Sequence, residues 1–186
     1  DYNASGVAIG LSIIKLLANL EVENSVMVLF TDAQSLAYGG AYHFIDSKIL
    51  SRFNLKGVIN LEMLGHDSRS QDKKKKVGNM SCYARAEVQS DLKLCGFFEK
   101  ANKRHATGVK FELKANNFNN SDHSIFWERG ISAIAFSQNW EDDFNSKRYQ
   151  TVNDFPETLN QTTLYNAYKY ISFGTMYFAL GKLKID

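Results

Sequence analysis

Gly57-Val-Ile-Asn-Leu-Glu-Met-Leu64 decides the fold: eight residues, apolar or β-branched for most of their length, carry a single carboxylate, Glu62, near their end. An apolar run of that length suits a strand buried on both faces, the kind a parallel sheet provides. Two further stretches read the same way, Ser25–Asp32 (SVMVLFTD) and Ile131–Ser137 (ISAIAFS). Helical spacing fills the intervals. Ile9, Ile13, Leu16, Leu17 and Leu20 recur at threes and fours behind Ser5, which is expected to cap that helix. Further helices are expected over 40–50, 90–105, 122–128 and 161–180, the third of these with Ser121 or Asp122 as its N-cap. Strands alternating with helices predict an α/β chain of three layers, α/β/α, around a mixed and largely parallel sheet. In such sheets ligands sit beyond the carboxyl ends of the strands, so TDAQS, EMLGHD and SQNWEDD are the segments to inspect.

The chain has 186 residues, 44% of them hydrophobic, enough for one domain with one substantial core. No apolar stretch reaches the roughly 20 residues of a membrane crossing. A formal net charge of +2 and scattered basic residues give nucleic-acid binding little support. The exception is the run Lys73–Lys76, read as a solvated loop because no aromatic residues interleave it. Cys82 and Cys95 lack the spacing of a structural zinc site and could pair or stay free. Cys95 falls on the apolar face of a helix, which favours a buried thiol.

Five segments, in order, carry a resemblance. DYNASGVA resembles DDNASGVA, FTDAQSLAYGGA resembles FDAEEQGLLGS, and VINLEMLG resembles VINLDMIG. NSDHSIFWERGISAIAF is similar to an SDHxxFxxxGIPA segment, and RYQTVND to YHTxxD. These are the motifs of the co-catalytic zinc aminopeptidases, a family that includes bacterial leucyl aminopeptidases, glutamate carboxypeptidase and glutaminyl cyclase. The resemblance implies a zinc-exopeptidase, phosphorylase/hydrolase-like fold over 1–186, without the strands that open the family fold. It also implies metal-assisted hydrolysis, in which bound water falls to a pKa of about 7 and a Glu serves as general base.

Carried across by position, the resemblance puts Tyr2 where the family has its bridging Asp, Gln34 at the general base and Ser35 at the neighbouring metal ligand. Glu62 keeps a ligand carboxylate, and Gln150 replaces a ligand His. Asp32, Ala33 and Gly40 fix the register of Gln34 and Ser35. Amides and hydroxyls are poor zinc ligands, and an amide cannot take a proton from water. No catalytic residue is therefore expected intact and no zinc is expected at the site, with His66 the remaining candidate ligand beside Glu62. His66 otherwise reads as a polar loop residue interacting with Asp67. His123 reads as support for its helix and loop, and His43 and His105 as surface or half-buried helix residues.

Asp122 matches an acidic residue that glutaminyl cyclases use for proton handling, although a helix cap is the plainer reading. Trp140 and Tyr149 would form a pocket wall. A buried Glu62 without metal needs hydrogen-bond donors, and Tyr2, Gln34, Ser35, Gln150 or His66 could supply them. The expected function is a non-catalytic pseudopeptidase that binds a peptide-like ligand or a protein partner. The alternatives are a zinc-dependent aminopeptidase completing its site from Asp1, Glu62, His66 and residues outside this stretch, and a glutaminyl-cyclase-like acyltransferase. The compartment stays open, with a secreted or periplasmic location implied by the resemblance alone.

Overall fold

A computed structural model describes residues 1–68, 80–116 and 118–182, so the Lys73–Lys76 run lies outside the described residues. Among the described residues five α-helices and four strands follow in the order α1 (Ala4–Leu17), α2 (Gly39–Asp46), β1 (Val58–Glu62), β2 (Ser81–Ala84), α3 (Gln89–His105), β3 (Leu113–Ala115), α4 (His123–Glu128), β4 (Ala133–Ser137) and α5 (Gln161–Ala179). The sheet runs β1-β4-β2-β3. β1 pairs with β4 and β2 with β3 in parallel, while β2 and β4 are antiparallel. Helices α1, α3 and α5 pack together on one face and α2 with α4 on the other. The expected three-layer α/β architecture with a mixed, mostly parallel sheet is what forms.

The core lies between the sheet and the α1/α3/α5 layer. Phe98 of α3 meets Phe136 of β4 edge-on with ring centroids 5.0 Å apart, and Phe136 meets Tyr170 of α5 at 5.4 Å. All three are 1% exposed or less, so each buries nearly its whole ring, and edge-to-face pairs add about 0.5–1.5 kcal/mol beyond that burial. Arg85, just past β2, is anchored by Asp91, which is fully buried at the start of α3. Asp91 accepts from Arg85 Nε at 2.7 Å, Ser132 Oγ at 2.9 Å and the Ala133 amide at 3.1 Å, so one carboxylate ties α3 to the start of β4.

Several expectations fail locally, each for a physical reason. Residues 26–30 are extended but enter no strand pairing, and Met27, Leu29 and Phe30 are 52%, 41% and 47% exposed. A β-rich run makes a ladder only where another strand lies alongside it, and β1 pairs on its β4 side alone among the described residues. The 57–64 strand stops at Glu62 because Met63 turns out of it with φ 50°. β2 and β3, four and three residues long, carry no apolar run that sequence periodicity could detect.

Ser5 does not cap α1. The N-cap is Asn3, in the left-handed region at φ 73°, with its side chain engaged elsewhere. Asp122, one of the two expected N-cap residues, does occupy the N-cap position of α4, but at φ −53° its side chain makes no capping bond. Cys95 is not a thiol: it forms a disulfide with Cys82, Cα atoms 6.2 Å apart, joining α3 to β2.

Candidate functional site

The site begins with the turn that follows β1. Three consecutive backbone amides leave the strand without sheet partners, and the DYNASG segment meets each of them. Asn3 Oδ1 accepts from Met63 N at 3.0 Å, Ser5 Oγ from Leu64 N at 2.8 Å, and Asp1 Oδ2 from Gly65 N at 2.8 Å. The Asn3 amide also donates to Leu61 O at 2.9 Å. Asn3 thus grips the chain on both sides of Glu62. A Cβ on Gly6 would stand 2.7 Å from Leu61 O and 2.3 Å from Asn3 Oδ1, so only glycine lets α1 approach β1 this closely.

Glu62 lies at the end of the strand, 5% exposed. Burial pushes its carboxyl up to about 7 from an ordinary 4.5, the nearby Asp122 charge adds to that, and Ser121, Gln34 and Asn60 oppose it as hydrogen-bonding neighbours. The amides of Asn60 and Gln34 meet Ser121 Oγ at 2.7 and 3.2 Å. Asp122, 8% exposed, accepts from the Thr31 hydroxyl, and burial raises its pKa. His123, fully buried, holds the loop before α4 by a 2.7 Å contact from Nε2 to Phe118 O, and burial lowers its pKa to about 4.

Of the donors expected around Glu62, Gln34 is there, and Ser121 and Asn60 join it without having been anticipated. Among the described residues no hydrogen bond joins Tyr2, Ser35, Gln150 or His66 to Glu62. Ser35 and Gln150 are exposed, and the Gln150 amide reaches Tyr149 Oη at 3.4 Å. His66 pairs with Asp143, Nε2 to Oδ1 at 3.4 Å, and also feels the charge of Asp67, which accepts from Thr163. His43 and His105 are on the surface of their helices.

Aromatic rings form the wall. Tyr149 meets Trp140 at 5.6 Å and 85°, Phe144 at 5.3 Å, and Tyr2 at 6.2 Å. Trp140 is positioned from below by Tyr83, 1% exposed in β2, whose hydroxyl donates to Gln138 O at 2.9 Å and accepts from Trp140 N at 3.1 Å. Sequence reasoning singled out Trp140 and Tyr149, which the structure brings into contact, and missed Tyr83, whose strand gives no apolar signal.

These side chains do not fit the zinc pair that the family resemblance implies. Around Glu62 stand two carboxamides, a hydroxyl and the charge of Asp122, Asp1 is committed to Ser5 and Gly65, and the described residues contain no group of three or more His, Cys, Asp or Glu able to hold a metal. Neutral amide and hydroxyl groups cannot replace the charged and imidazole donors of a zinc centre.

Sheet order, layer arrangement and a carboxylate at the end of β1, an edge strand among the described residues, belong to an aminopeptidase-type α/β domain. The chain belongs to peptidase family M28, whose model matches residues 1–173. It is similar to BSAP, a zinc aminopeptidase from Bacillus subtilis, at 20% identity and TM-score 0.76, over 99% of this chain and 43% of that one. LapB from Legionella pneumophila matches at 18% identity and TM-score 0.80, covering 97% and 47%. The aminopeptidase from Aneurinibacillus sp. strain AM-1 matches at 21% and 0.72, covering 99% and 41%. No curated protein matches the chain. The chain therefore spans less than half the length of these solved structures, and the likeness carries the fold.

Proposed function

We propose that this M28 domain is a pseudopeptidase, which keeps the aminopeptidase fold and acts by binding a peptide-like ligand or a protein partner in the old cleft. The observation that carries the reading is the neutral chemistry where hydrolysis needs charge: Gln34 at the general-base position, with Ser35 and Gln150 at ligand positions. An amide has no proton affinity with which to activate water, and a general base is worth about a hundred- to ten-thousand-fold in rate. The buried disulfide Cys82–Cys95 supports an oxidising compartment, periplasmic or extracellular.

The test is metal content and turnover measured together on the full-length protein. Aminoacyl arylamide hydrolysis should not exceed a buffer blank with or without added zinc, and bound zinc should be far below one per chain. Zinc-dependent turnover that survives Gln34→Ala but is lost in Glu62→Ala would mean that catalysis has been rebuilt on other groups. Release of pyroglutamyl product from an N-terminal glutamine peptide would instead assign a cyclase.

A further inference from the structure

A cavity of about 450 Å3 opens where three segments meet: residues 66–68 after β1, the loop 144–148, and residues 158–160 ahead of α5. Its charges are unequally matched. Asp143, at its edge, faces His66 Nε2 at 3.4 Å and accepts from the Ser68 amide at 3.2 Å, while Asp67 accepts from the Thr163 hydroxyl at 3.2 Å. Both carboxylates are therefore engaged. Lys147 and Arg148 line the same cavity, and among the described residues no side-chain hydrogen bond or ion pair holds either of them. Arg148 is half-buried, so its guanidinium has lost part of its hydration without gaining a partner, and its charge is felt at His66, another lining residue. Two amides add donors. Asn145 is 3% exposed, and with its Oδ1 shut away from solvent and unpartnered, Nδ2 is the part of the carboxamide left to face a ligand. Asn160 gives its backbone amide to Gly65 O at 2.8 Å and its Oδ1 to Thr163 N at 3.0 Å, which fixes the rim and leaves its Nδ2 uncommitted. Unmatched cations and spare N–H groups suit an oxyanion, and a guanidinium fork fits a carboxylate or a phosphate equally. The volume is that of a small-molecule site, well beyond a bare anion, and Phe144 and Leu159 give it an apolar side.

We propose that this cavity binds a small organic oxyanion, its head group held by Arg148, Lys147 and the Asn145 and Asn160 amides and its apolar body against Phe144 and Leu159. None of these residues is a neighbour of Glu62, so the site stands whether or not the cleft hydrolyses peptides. The head group is a carboxylate or a phosphate monoester, which share the chemistry that the cavity reads.

Calorimetry on the full-length protein at low salt separates the two, with butyrate for the carboxylate, butyl phosphate for the phosphate and butan-1-ol as the neutral control of similar shape. At least one anion should bind with a dissociation constant of about 1 mM or tighter while butan-1-ol does not, and the tighter anion names the head group. Arg148→Gln should weaken that binding by at least about tenfold. Since the Arg148 side chain holds no other part of the protein, the thermal midpoint of this variant should stay at the wild-type value. Should it nevertheless fail to fold, Lys147→Gln, on the exposed side of the cavity, should weaken binding as well. Failure of both anions to bind, equal binding of butan-1-ol, or an affinity unchanged in the folded variant overturns the site.

Discussion

Glu62 and His123 are shifted in opposite directions by the same cause, burial, and their effects on stability oppose each other across one pH range. The folded Glu62 carboxyl titrates at about 7 against 4.5 in the unfolded chain. Between those values the unfolded chain has given up the proton that the folded chain keeps, so this group destabilises the fold as pH rises from 4.5 to 7. At about 1.4 kcal/mol per pKa unit the full effect is about 3 kcal/mol. His123 runs the other way, from 6.5 unfolded to about 4 folded, and destabilises the fold as pH falls through that interval. Asp122, also raised, has the sign of Glu62. The expected outcome is a nearly flat stability profile from 4.5 to 6.5 in the wild type, and in Glu62→Gln a profile that climbs with pH until 6.5. Denaturant unfolding at several pH values measures both, and parallel curves for the two proteins would contradict the assignment. At this scale the sequence showed that Glu62 would be buried and short of charged partners. Ser121 was hidden because a contact across 59 residues of chain leaves no trace in local pattern, whereas Asn60, two residues before Glu62 on β1, was within reach of strand alternation and was overlooked.

Helix α1 depends on a close approach rather than on its own propensity. Gly10 allows Val28 and Phe30 to reach the helix, but Gly6 is the tighter contact, since its added Cβ would meet backbone that cannot move aside. Gly6→Ala therefore should cost more than an ordinary helix Gly→Ala change, which by propensity alone favours alanine by about 1 kcal/mol. The expected result is a net loss of about 1–3 kcal/mol in chemical unfolding, typical of overpacking, and a neutral or stabilising effect would mean that α1 is not seated against Leu61. The helices were legible because their apolar spacing is long and regular: α3 and α5 fall within one residue of their expected limits. Caps were only partly legible: Asp122 does stand at the N-cap of α4, but its side chain and that of Ser5 are taken by other elements, Thr31 and Leu64 N. β2 and β3 are defined by their neighbours in the sheet and not by composition.

For the whole molecule, the largest departure from expectation is the bare stretch 26–30 beside the outer face of α1, where Val7, Leu11 and Ile14 are 45%, 55% and 43% exposed. Chain length does not compensate, because the matched structures run to more than twice this span. Exposed apolar residues contribute little to folding, so replacing both Met27 and Leu29 by Lys should change stability by no more than about 0.5 kcal/mol per site, while lowering the binding of a hydrophobic dye. A large fall in thermal midpoint would mean that this face is covered in the protein. No helix among the described residues is long and apolar enough to cross a membrane.

The DYNASG segment holds three successive amides after β1, and that task is independent of any reaction. Such carpentry stands apart from catalysis, so a search of genomes for the hexapeptide would count scaffolds rather than enzymes.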